Sequence, residues 1–299
     1  MSALLMAIVS GLLMSLIGVA FGMGGARGVQ PPHIAIFMGF CGLPVFACMA
    51  GMDALRAAPA SVWWIGVAAG VTQYLGVCAL GAALRRGPLS PAWCAAAMIF
   101  LPVLAYARLA LDQRIGGCRL AGVALACVCV ALAAWQGGSR VPGTAASPRD
   151  WRTTAVYGLL LVVIVINASS LSLAITMLGA HTRADGRTQM DAFGLVMLAA
   201  CYAAFGVCML ADTLARPPPV ATRRLQWTAG LLASVGSVGG FALLRHAASA
   251  PAAMVFPANS VASLLGASVV SVLFFRERVT PVWIGMLVAG VAAVVLVGL

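Results

Sequence analysis

Three polar clusters interrupt the apolar stretches of this 299-residue chain: Gln73-Tyr74, Asn167 with Ser169 and Ser170, and Asn259-Ser260 with Ser263. Their amides and hydroxyls are neutral hydrogen-bonding groups. They can hold a solute, but none is a general base or a metal ligand set. No Asp, Glu or Arg stands at the centre of an apolar stretch. A desolvated carboxylate is the usual proton carrier inside a membrane. Without one, the options are uniport, exchange, or coupling through hydroxyls and water. An enzyme would need a nucleophile and a base, or a metal cluster, at that depth. His33, His181 and His246 fall at the ends of stretches or between them, where solvation is the default, and the nine Cys show no CxxC spacing. We therefore expect no catalytic residue, no metal and no cofactor.

Each polar residue also has a plain structural reading. Serines often bond the carbonyl four residues back or join helices, and aromatics often sit at membrane interfaces. An amide is harder to satisfy, because in hydrocarbon it costs several kcal/mol without partners. Gln73, Tyr74, Trp93, Asn167, Ser170, Asn259 and Ser263 are accordingly the candidates for the wall of a substrate cavity. Pro102 and Pro257 each free a backbone carbonyl inside an apolar run, which makes them hinge candidates. Arg108 and Asp112 have the i,i+4 spacing of a local ion pair.

These clusters need a scaffold of unusual composition. Hydrophobic residues make up 63% of the chain and charged residues 8%, against roughly a quarter charged in soluble domains. Lipid is the solvent that accommodates such a chain. The apolar runs are continuous and near the roughly 20 residues that span the hydrocarbon core as helix, rather than the alternating segments of about ten that build a β-barrel. The net charge of +11 comes from arginine alone, there being no lysine. These arginines lie singly or in pairs between runs, where they anchor helix ends and meet lipid phosphates; no nucleic-acid partner is expected. The thiols behave as small hydrophobes.

The runs cover residues 3–23, 34–52, 61–83, 89–109, 117–135, 153–178, 192–211, 225–244, 251–275 and 281–299. A Gly- and Pro-rich stretch, 138–152, separates the first five (1–137) from the last five (153–299), and a charged turn with Arg183, Asp185, Arg187 and Asp191 is expected between the sixth and seventh. Residues 63–134 recur as 225–299. At an offset of 160, Ala82, Leu84, Arg85, Pro91 and Ala92 return as Ala242, Leu244, Arg245, Pro251 and Ala252. A charged turn closes each following run, Asp112-Gln113-Arg114 and Arg276-Glu277-Arg278. An odd number of spans per half makes the second half insert upside down. The expected fold is thus an all-α polytopic membrane protein of ten helices in two inverted five-helix repeats, with a site near the midplane.

This layout resembles the drug/metabolite transporter superfamily, EamA type. Glu277-Arg278-Val279-Thr280-Pro281 through Gly285 is similar to the family's acidic turn before the last helix of a half, and Leu101-Pro102-Val103 to its mid-helix proline motif. The first half departs from the pattern, with Gln113 beside Asp112 where the Glu is expected. The resemblance implies secondary transport of small metabolites, often export, with both termini cytoplasmic and no ATP site. Charge counting points the other way. Seven arginines (Arg56, Arg108, Arg114, Arg119, Arg183, Arg187, Arg245) fall on the side of the N-terminus and the other eleven opposite, whereas cytoplasmic loops are normally the richer in basic residues.

The resulting expectation is a permease or exporter of the bacterial inner membrane, monomeric or homodimeric, working by alternating access on a small neutral or zwitterionic metabolite. An amino acid is the leading candidate. Sugars or drugs, and a non-transporting structural subunit, are the alternatives.

Overall fold

The computed structural model describes residues 2–25, 27–84, 95–138, 151–185, 188–218, 220–275 and 280–299. Arg85, Pro91, Ala92, Trp93, Arg187, most of the 138–152 stretch and the turn Arg276-Glu277-Arg278 lie outside the described residues. Within them the chain forms α1 (Ala3–Gly25), α2 (Pro31–Ala50), α3 (Ala60–Leu84), α4 (Phe100–Leu109), α5 (Gly117–Gly138), α6 (Trp151–Asp185), α7 (Thr188–Ala215), α8 (Arg223–Ala247), α9 (Ala252–Phe275) and α10 (Pro281–Gly298), with a short helix Met52–Ala57 and a 3₁₀ turn Val220–Thr222. There is no strand among them. All but α4 and α5 are long and apolar enough to cross a membrane. The chain is an all-helical, multi-pass integral membrane protein.

Local chemistry sets the helix ends. Pro31 and Pro32 open α2 after an extended Gln30, because proline fixes a helical φ and its missing N–H is one a first turn leaves unbonded anyway. Gly51, at φ 78°, turns the chain into Met52–Ala57. The charged segment 183–191, expected as a loop, is mostly helical: α6 runs to Asp185 and α7 begins at Thr188. No proline stands there to bar a helix, and Gly186 and Arg187 lie outside the described residues. The Thr280 hydroxyl caps α10 by accepting from the Trp283 N–H at 3.2 Å, with Pro281 in the first turn.

Pro102 acts at the start of α4. Lacking an N–H, it cannot bond the Met98 carbonyl; the Leu101 N–H does so instead at 3.1 Å, and the Met98 N–H bonds Ala95 at 3.0 Å. These i→i+3 bonds tighten the chain into turns at Met98 and Ile99, between helical Ala95–Ala97 and α4. Pro257 lies inside α9.

The closest packing runs between the first five helices and the last five. α1 packs on α8 and α9, α2 on α7 and α8, α3 on α6 and α7, and α5 on α10. Small residues permit these approaches. Gly39 of α2 lies against the Gly206 backbone of α7, and Gly66 and Gly70 of α3 against the Met197 and Cys201 carbonyls of α7. Gly236 and Gly240 of α8 lie against Leu13 and Met14 of α1, and Gly122 of α5 against Val297 and Ala293 of α10.

The buried side chains divide into two bodies that cut across the sequence order. One gathers α2, α3, α6, α7, most of α8 and the C-terminal half of α1 around residues such as Phe46, Met197 and Met209, while Leu244 and Ala247 at the end of α8 pack with the second. The other gathers α4, α5, α9, α10 and the N-terminal half of α1 around Phe100, Phe256 and Met286.

Candidate functional site

A cavity of about 160 Å³ opens along the seam between these bodies. It lies near mid-length of its helices, where a spanning helix passes the bilayer centre. α1 contributes Met14, Ile17 and Phe21; α3 contributes Gln73, Gly76, Val77 and Leu80; α6 contributes Ile164 and Ala168; α9 contributes Asn259, Ser260 and Ser263. Met38 of α2, Phe241 of α8, and Ala96, Ala97 and Ile99 ahead of α4 complete the wall. The turns imposed by Pro102 therefore form part of the cavity. In α9, Pro257 stands two residues before Asn259, and the Asn259 carbonyl meets Gly11 of α1.

Gln73, Asn259 and Ser263 stand on the wall, and Ser260 with them. Gln73 donates through Nε2 to the Asn167 carbonyl at 3.5 Å, a long bond at the edge of hydrogen-bonding range. Asn259 and Ser260 are 1% and 2% exposed. The Asn259 amide nitrogen reaches the Met14 sulfur at 3.7 Å, while Asn259 Oδ1 and Ser260 Oγ have no hydrogen-bond partner among the described residues.

Asn167, Ser170 and Tyr74 occupy a neighbouring layer. The Asn167 Nδ2 donates to the Val163 carbonyl of its own helix at 2.7 Å. Ser170 donates to the Asn167 carbonyl at 2.7 Å and accepts from the Thr72 hydroxyl at 2.8 Å. This joins α3 to α6 behind the cavity, beside the contact of Gly76 with Asn167. Tyr74 packs against the body built around α7. Trp93 lies outside the described residues.

Other polar groups hold helices together away from the cavity. The Tyr202 and Ser237 hydroxyls bond each other at 2.5 Å, joining α7 to α8, and Gly42 of α2 leaves room for the Tyr202 ring. Ser10 donates to the Gly240 carbonyl at 2.7 Å. His33 is buried rather than solvated: its Nε2 bonds the Arg216 carbonyl, and its own carbonyl accepts from Gln226, both at 2.8 Å. Arg108 and Asp112 pair at 3.0 Å on the surface. No group of three or more His, Cys, Asp or Glu among the described residues is placed to hold a metal ion.

Sequence reading missed the apolar part of the wall. Met14, Phe21, Met38 and Phe241 resemble any other buried hydrophobe in a chain of this composition, and only the cavity distinguishes them.

No family model matches this chain, and no curated protein matches it. Among solved structures, 22 chains match. One of them, described only as the crystal structure of a protein, superposes with a TM-score of 0.73 over 98% of this chain and 95% of its own, at 16% identity. The likeness is one of fold.

Proposed function

We propose that the protein is a secondary carrier of a small neutral or zwitterionic metabolite, amino acids included, in a bacterial inner membrane. The observation that carries this reading is the mid-depth cavity at the seam of two packed bodies, with amide and hydroxyl groups on a mainly apolar wall. A purely structural subunit has no use for polar groups held without partners at that depth.

The packing supports an inverted duplication of ten spans. Exchanging α1–α5 with α6–α10 turns the pair α1·α8 into α6·α3, α1·α9 into α6·α4, and α2·α8 into α7·α3, and every one of these pairs is in contact. The pairs α2·α7, α4·α9 and α5·α10 map onto themselves and are also in contact. The offset of 160 extends to glycines: Gly70 meets α7 where Gly230 meets Phe37 of α2, and Gly76 meets α6 where Gly236 meets α1. The same features support the chain's placement with the EamA-type drug/metabolite transporters, working without catalytic chemistry. Because the sequence halves interlock, the rocking units in this reading are groups of helices drawn from both halves rather than residues 1–137 against 153–299. Such motion would open the seam to each side in turn.

Proteoliposomes challenged with amino acids, sugars and cationic dyes test the reading. Saturable, countertransport-capable flux of at least one solute is expected, falling at least about tenfold in Gln73→Leu while membrane insertion is unchanged. A properly inserted protein that moves none of them contradicts it.

A further inference from the structure

Asn259 Oδ1 and Ser260 Oγ are unusual within their own surroundings. Several hydroxyls of the bundle are satisfied by a carbonyl one turn back, Ser268 by Leu264 at 2.8 Å, Ser234 by Gly230 at 2.7 Å and Ser169 by Val165 at 2.6 Å. The Ser172 and Thr213 hydroxyls also lack a partner among the described residues, but neither residue lines the cavity. Ser260 makes no such bond, although it sits in the same kind of helix. An unmade hydrogen bond at a buried oxygen has a large cost, and leucine and alanine at these two positions would avoid it at similar volume. Unpartnered oxygens on two successive residues of a cavity wall are suited to a donor brought by a ligand, once their side chains turn toward it.

The rest of the wall narrows that ligand. Apart from Gln73, Asn259, Ser260 and Ser263, the described lining is apolar and carries no charge. A zwitterion would place an ammonium and a carboxylate where neither has a counter-charge among the described residues, and desolvating each ion is expensive. An uncharged molecule avoids that cost. The volume of about 160 Å³ is close to that of an engineered cavity of roughly 150 Å³ that takes benzene.

Resting on the carrier reading above, the geometry points to an uncharged, mostly apolar solute about one ring in size, whose hydroxyl or ring N–H donates to Asn259 and Ser260, rather than to an amino-acid zwitterion. Phenol has this shape and donor and is neutral at pH 7; toluene has the shape without the donor.

Binding of labelled phenol and toluene to the full chain in nanodiscs, with empty nanodiscs subtracted, is the test. Saturable one-to-one phenol binding is expected, at least about tenfold tighter than that of toluene and not displaced by phenylalanine. Asn259→Leu and Ser260→Ala should each remove most of the phenol preference while toluene binding persists, which reports an intact fold. Equal affinities for the two probes, unchanged phenol binding in both variants (the oxygens being served by trapped water), or displacement by phenylalanine would each overturn the assignment. Flux of a different solute alongside any of these results leaves the carrier reading standing. Phenol binding in a protein whose cavity never opens to both sides has the opposite meaning: the site stands and the carrier falls.

Discussion

Gln113, in the turn after α4, accepts through Oε1 a hydrogen bond from the backbone N–H of Ala252, the first residue of α9, at 3.2 Å. A helix start has four N–H groups without partners inside the helix. Here a residue from the first half of the chain satisfies one belonging to the second. Gln113→Leu is expected to lower stability by about 1 kcal/mol, as other cap losses do. Gln113→Glu keeps the acceptor and adds negative charge at the positive end of α9, so it should match or exceed the wild type. Thermal unfolding in one detergent ranks the three proteins, and a Glu variant as unstable as the Leu variant would contradict the cap.

The approach of Gly39 to Gly206 has no room for a methyl group. A Cβ at Gly39 would fall on the Gly206 backbone, which cannot rotate away as a side chain could. Gly39→Ala should separate α2 from α7 and destabilise by about 1–3 kcal/mol, the usual range for overpacking. Gly158→Ala in α6, where a Cβ meets open space, should be neutral or mildly stabilising. Equal unfolding temperatures for the two variants would disprove the close contact.

Tyr202 and Ser237 form a buried hydroxyl pair between α7 and α8. Tyr202→Phe and Ser237→Ala should each destabilise modestly, and the double variant by less than their sum. The coupling energy is expected at about 0.6 kcal/mol, the average for hydrogen bonds between membrane helices. Strict additivity in unfolding measurements would mean that the pair contributes nothing.

Asp112 combines an exposed ion pair with a strained backbone. The pair with Arg108 is 55% and 94% exposed at its two ends, and such contacts contribute little. The φ of 46° matters more, since a β-branched side chain is strongly disfavoured there. Asp112→Asn should leave the unfolding temperature almost unchanged, and Asp112→Val should lower it. The reverse order would mean that the charge, not the backbone, sets the residue.

Much of this architecture was legible in the chain because lipid demands it. Long apolar runs must be helical to satisfy their backbones, so the helices and most of their bounds follow from composition. The 183–191 segment was misjudged because charge alone was taken for a loop, although its residues are otherwise compatible with helix. Asn167 shows why site residues are harder to read. Its amide was expected to need partners from other helices, but Val163, one turn back, accepts from it. Asn259 carries the same side chain in a similar setting and has an oxygen left open. His33 differs for a related reason: it is buried because the Arg216 carbonyl, 183 residues away in the chain, stands beside it. Local sequence does not encode which neighbour a polar group will meet.

The central claim is that the cavity between the two bodies is reached from each side of the membrane in turn. The most direct measurement is labelling of Gln73→Cys and Ser263→Cys, each in a background lacking the native cysteines, with a membrane-impermeant maleimide applied from one face at a time. A carrier predicts that each position is labelled from either face, with a solute that favours one state shifting the ratio between faces. Labelling from one face only, or from neither in a folded protein, would contradict it.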